Sequence, residues 1–159
     1  VFLATYFLCG AAGLPVWVSL ARRLGKRRAW LLGMLFAVAA FVWAYALGPG
    51  DIVAFGLVCA ISGFALGADL ALPPSIVADL LEGSPNAGEG VAFGIWNLLG
   101  KANLAVAAGV ALPLVGALGY SPGLRDVAAT AGLSITYCLV PCVFKLFAAG
   151  LLWRAPPVD

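Results

Sequence analysis

Five long stretches of this chain run without a charged residue: 1 to 21, 29 to 50, 52 to 68, 102 to 124 and 127 to 144. A helix needs about 18 to 20 consecutive apolar residues to cross the hydrocarbon core of a bilayer, and most of these runs reach that length. They are continuous, whereas a transmembrane barrel would show short segments of alternating polarity, so the pattern is helical. Breakers and charges punctuate it at Arg22 to Arg28, Gly48-Pro49-Gly50-Asp51, Glu82 to Glu89 and Gly119 to Asp126. The pattern predicts an all-α membrane protein of five transmembrane helices at about 1–21, 29–47, 52–78, 90–118 and 127–153, with no room between them for a soluble domain.

Composition supports this reading. Hydrophobic residues make up 64% and charged residues 10% of the 159 positions, and the mean hydropathy is +1.06. Soluble domains carry about 25% charged residues. The lipid bilayer is therefore the first partner to expect.

The few charges set an orientation. Arg22, Arg23, Lys26, Arg27 and Arg28 crowd one connection, and Arg154 falls on the same side after four further crossings, with Arg125 opposite. The positive-inside rule then places that basic loop, the 82–89 connection and the C-terminus in the cytoplasm. The net charge of +2 is a topology signal. The basic cluster is a loop between two spans, without interleaved aromatics, and gives no reason to expect a nucleic-acid partner.

Other chemistries find little support. The chain has no His, and Cys9, Cys59, Cys138 and Cys142 all lie in apolar runs. Cys138 and Cys142 are one turn apart, but zinc needs four ligands and no others of the usual kind stand near them, so they read as packing residues and no metal site is expected. No nucleophile and base arrangement, phosphate-binding loop or dinucleotide fingerprint is present, so an enzyme is not expected. The chain starts inside an apolar run without Met and has an odd number of helices, which reads as a fragment. The basic residues follow the first apolar run, the reverse of a signal peptide.

The predicted third helix carries two patterns. Gly56, Ala60, Gly63 and Gly67 form a small-residue stripe that admits a close helix neighbour. Ser62, Asp69 and Pro73 share a face turned away from it. An intramembrane Asp marks a cavity by default, yet Pro73 and Pro74 could bend or end the helix and leave Asp69 solvated at the interface. Both readings stand.

Lys101 is the strongest candidate for function. It interrupts an apolar stretch otherwise uncharged from Gly90 to Leu124, and at about 1.5 Å per residue it lies roughly 16 Å into the helix, near the midplane. A charge there costs roughly 2.5–3.5 kcal/mol on insertion scales and persists only with a cavity or a partner. Asn97 is one turn before it, flanked by Trp96 and Gly100. Hydrogen-bonding groups beside an aromatic ring suit a sugar-sized polyol, while a structural ion pair with an acid elsewhere is the plainer alternative. Lys145 is close enough to a helix end to snorkel and reads as an interfacial anchor. Trp30 and Trp153 read as aromatic-belt residues.

The run Pro15, Trp17, Leu20, Arg23, Gly25, Lys26, Arg27 resembles the loop between helices eight and nine of the major facilitator superfamily, in the version found in the glycoside, pentoside and hexuronide cation symporters, the melibiose carrier's family. Arg22 and Val18 stand where the superfamily motif has an acid and a Gly. Ile76-Val77-Ala78-Asp79, then Glu82, Glu89 and Lys101, is similar to that family's stretch from helix ten to helix eleven.

The resemblance implies that the chain supplies helices eight to twelve of a secondary active symporter of sugars or glycosides in a bacterial cytoplasmic membrane. It implies that Lys101 is the helix-eleven lysine near the sugar and cation sites, that Asn97 lines the sugar cavity, and that Asp79, Glu82 and Glu89 are cytoplasmic gate acids pairing with arginines of the N-terminal half. Asp69 and Trp96 join Lys101 and Asn97 as candidate substrate or coupling residues. Where the melibiose carrier stacks sugar on a Trp in helix ten, this chain has Leu70 beside Asp69, so the substrate is expected to differ. No cofactor is expected beyond a coupling Na+ or H+, bound mainly by helices of the missing N-terminal half. The alternative is a non-transporting membrane assembly or scaffold protein that keeps the same fold.

The orientation is testable. In a cysteine-free full-length protein, a Cys replacing Ser121 should react with an impermeant thiol reagent added outside, and one replacing Ser84 should not; the opposite labelling would reverse the topology.

Overall fold

The structure, a computed structural model, describes residues 1–48, 50–82, 88–117 and 134–154. The described residues form helices without strands: α1 (Phe2–Leu24), α2 (Lys26–Tyr45), α3 (Ile52–Glu82), α4 (Glu89–Ala117) and α5 (Val140–Arg154), the last continuous with a π-helical turn at Ile135–Leu139. Five helical segments are long and apolar enough to span a bilayer. The expected end of the fourth helix at 118, the start of the fifth at 127 and the 119–126 connection lie outside the described residues.

The boundary between the first two helices differs from expectation. α1 runs to Leu24 and α2 begins at Lys26, so the anticipated seven-residue basic loop contracts to Gly25. Arg and Lys are good helix formers, and Arg22 and Arg23 in the last turn of α1 complement the negative end of its dipole. Gly25, at φ 86°, adopts a backbone that other residues resist, and the chain reverses there. α3 likewise passes through Pro73 and Pro74 to Glu82, beyond the expected end at 78. Where every span already buries its backbone bonds in the helix, neighbours can compensate the few groups that a proline frees. The π turn falls just before Pro141, whose ring crowds the preceding turn and which has no N–H to donate.

α1, α2 and α3 form the packed body. Apolar burial drives little between helices in lipid, so close backbone approach and van der Waals contact do the work. The α3 stripe meets Gly10 and Gly13 of α1: a Cβ on Gly67 would stand 2.9 Å from the Gly10 carbonyl oxygen, and one on Gly13 would stand 2.8 Å from that of Phe64. Against this seam Trp17 is 2% exposed, its ring beside Phe64 and Phe36 and its indole N–H donating to the Phe64 carbonyl at 2.8 Å. Ala21, Ala29, Ala68 and Leu72 complete the core. Ser62, expected on a polar face, is buried and donates to the Val58 carbonyl of its own helix at 2.7 Å.

α5 packs on α2 through Leu31, Met34 and Ala149. α4 is the outlier: nearly every described position from Gly94 to Gly109 is exposed, and it touches α3 and the π turn only at its margins.

Gly67→Leu should destabilise the bundle by about 1–3 kcal/mol, the usual penalty of overpacking, whereas Gly150→Ala, with open space around its Cβ, should leave stability unchanged; thermal unfolding in detergent measures both.

Candidate functional site

Asp69 and Lys145 form an ion pair within the membrane span. The other Asp69 oxygen, Oδ1, accepts the indole N–H of Trp30 at 3.0 Å. Three helices meet at this carboxylate: α2 through Trp30, α3 through Asp69 and α5 through Lys145. Asp69 lies ten residues before Asp79 and Lys145 nine before Arg154, so both stand about 14–15 Å along their helices from those two residues of the basic end. Both side chains are about one quarter exposed, 28% and 24% respectively.

This geometry gives Asp69 protein partners on two helices and corrects two expectations. Lys145, read as an interfacial anchor, is the counter-ion of Asp69. Trp30, read as a belt residue only, is a hydrogen-bond donor to it. The signal was present in the chain: two opposite intramembrane charges lie at nearly equal distances from the basic end of their helices, and each needs the other.

Lys101 stands apart from this cluster. It is exposed on α4, about 18 Å along the helix from Glu89, and has no hydrogen bond or ion pair among the described residues. Asn97 is exposed one turn before it. Trp96, expected to flank the same strip, is rotated about 140° from Lys101 and shares the face of Asn103, seven residues on. The four candidate substrate residues thus divide: Lys101 and Asn97 line one strip of α4, Trp96 lies on another face, and the Asp69 carboxylate is engaged by α2 and α5.

A cleft of about 710 Å³ separates α4 from α5, lined by Asn103, Val106, Val110, Phe144 and Lys145 among others. Asn103 is a polar position that sequence reasoning passed over, because it is one neutral amide in an apolar run. It lies about 200° around α4 from Lys101, so the cleft and the Lys101 strip are on opposite sides of the helix.

At the basic end, Lys26 donates to both Asp79 oxygens at 2.6 and 2.7 Å and to the Ser75 carbonyl at 3.2 Å. Asp79, which the resemblance implies pairs with the other half, is partnered here within its own half. Lys26 is thereby more than a topology signal. Arg27 donates to the Trp153 carbonyl at 2.6 Å, joining α2 to the end of α5. Arg22, Arg23, Arg28 and Glu82 are exposed, and the side chain of Glu89 lies outside the described residues. Cys142 is buried, with its thiol directed at the carbonyl of Cys138, 3.0 Å away.

A scan against family models matches residues 1–158 to the family described as MFS/sugar transport protein. The chain belongs to that family. No curated protein and no solved structure gave a match. Membership in the MFS sugar-transport family and five apolar spanning helices make this an integral membrane protein of the transporter kind. It also accords with two differently placed intramembrane lysines, one neutralised inside the bundle and one on an uncovered helix.

The Lys26–Asp79 pair is about one third exposed on each side, and pairs so exposed are worth about 0–1 kcal/mol. Lys26→Met should therefore shift the unfolding temperature in detergent by no more than about 4 °C; a much larger drop would show that the pair is a main support of the α2–α3 junction.

Proposed function

We propose that this chain forms helices eight to twelve of a cation-coupled symporter of sugars or glycosides, working by alternating access between two halves in a bacterial cytoplasmic membrane, with its C-terminus inside. The observation that carries the proposal is the placement of Lys101: an ammonium well inside an apolar spanning helix, exposed on a face that the other described residues leave uncovered. Such a charge needs a water-filled cavity or an acid from elsewhere, and an N-terminal half docked against α4 would supply both. The family match supports sugar transport as the task.

In this reading Lys101 and Asn97 border the sugar cavity, where an ammonium and an amide hydrogen-bond hydroxyl groups. Lys101 also contacts carboxylates of the N-terminal half that bind the coupling Na+ or H+. Cation and ammonium compete for those acids, and that competition links ion occupancy to the cavity. Glu82 and Glu89, at the cytoplasmic ends of α3 and α4, latch onto basic residues of the other half when the inner gate closes. Asp79 joins them by exchanging its Lys26 contact, since a gate charge acts through contacts that differ between two states. No step requires an enzyme's nucleophile or a nucleic-acid partner.

Lys101→Met keeps the side chain's length and removes its charge. In the full-length carrier it should abolish uphill sugar accumulation while leaving insertion and folding intact, and Lys101→Arg should fail too, because a planar fork does not replace a compact ammonium. Accumulation by the Met variant equal to the parent's would reduce Lys101 to a structural charge. A parent that binds and moves no sugar would favour the scaffold alternative.

A further inference from the structure

We infer that Asp69 is the centre of an intramembrane clamp, and not a substrate or coupling group: its two carboxylate oxygens hold α2 through Trp30 and α5 through Lys145. The inference goes beyond the transport reading and rests on it only for the uptake arm of the test below.

Three observations converge. First, the carboxylate is spoken for on both sides. Oδ1 accepts from Trp30 and Oδ2 from Lys145, so a coupling ion would have to displace an indole N–H and an ammonium from different helices at each turnover. Second, α5 needs a polar tether. Its outer residues Val143, Phe144, Phe147 and Leu151 are exposed along the bundle's surface, and lipid offers those side chains as apolar a setting as another helix does. α5 packs on α2 through small and apolar contacts, with a polar tie only at its end, from Arg27 to the Trp153 carbonyl, and it reaches α3 at the Lys145–Asp69 pair. Third, the pair is set apart from the transport strip. Lys145 also borders the cleft on the α4 face opposite Lys101, so the clamp anchors the scaffold side of the half and leaves the Lys101 face clear.

The energetics favour a clamp that depends on the pair rather than on either charge. Removing one partner strands an ion in a medium that cannot solvate it, while removing both leaves a near-neutral apolar contact. Trp30 adds a charge-assisted hydrogen bond that holds the carboxylate in place. In this arrangement Asp69 and Lys145 are positioning residues for α5.

The test compares Asp69→Asn, Lys145→Met and the double variant in the full-length carrier, by thermal unfolding in detergent and by sugar uptake in proteoliposomes. Each single variant should unfold roughly 5 °C or more below the parent, with uptake reduced. The double variant should regain most of both, at the parent's KM. Single variants as stable as the parent, or a double variant no more stable than the singles, would overturn the clamp. So would a double variant that regains stability but not uptake, because Asp69 or Lys145 would then act in transport itself. If the parent moves no sugar, the unfolding arm alone decides the clamp, and the transport reading fails separately.

Discussion

Water is absent from the hydrocarbon core, so any charge carried into it must be met by protein. Much of this structure follows from that constraint. Three charged residues lie well inside the apolar spanning helices, and they are handled in two ways. Asp69 and Lys145 neutralise each other within the bundle, with Trp30 completing the carboxylate's hydrogen bonding. Lys101 stands on a helix with no partner among the described residues. The first arrangement is met within the bundle, and the second calls for a surface that the described residues do not provide.

The packed body makes that division possible. Glycine-lined backbones of α1 and α3 meet closely enough that side chains would collide, and Trp17 wedges against the seam with its indole N–H bonded to a main-chain carbonyl. Such contacts use dispersion and hydrogen bonding, which keep their value in lipid where burial of apolar area does not. α2 and α5 are added to this seam by polar ties at two levels: Lys26–Asp79 and Arg27 to Trp153 at the basic end, and Trp30–Asp69–Lys145 further along the spans. α4 is left as the most exposed member among the described residues, which suits its proposed place at the face between two halves of a carrier.

The spans and the small-residue stripe were legible in the sequence because each depends on a local count: apolar residues per helix length, and glycine spacing per turn. The α1–α2 reversal was less so. Five basic residues look like a loop, yet the backbone is helical on both sides of Gly25, with Arg22 and Arg23 in α1 and Lys26, Arg27 and Arg28 in α2. The role of Lys145 was hidden for a different reason. Its distance from the helix end permits snorkelling, and only the placement of α5 beside α3 shows that an acid lies at the same depth. Trp96 was misgrouped with Lys101 because adjacency in sequence is about 100° of rotation on a helix. Lys101 itself was legible, since a lone charge in a long apolar run needs no tertiary information to stand out.

The division between an ion pair engaged within the bundle and a lysine facing the proposed cavity is what the proposed mechanism needs most, and water access measures it directly. In a cysteine-free full-length carrier, Lys101→Cys can be compared with Lys145→Cys made in an Asp69→Asn background, each exposed to a small charged thiol reagent from either side of the membrane. Rapid modification at position 101, slowed by sugar, with position 145 remaining unreactive, is the expected result. Modification at 145 with silence at 101 would place the water-filled pathway on the other side of α4 and contradict the assignment.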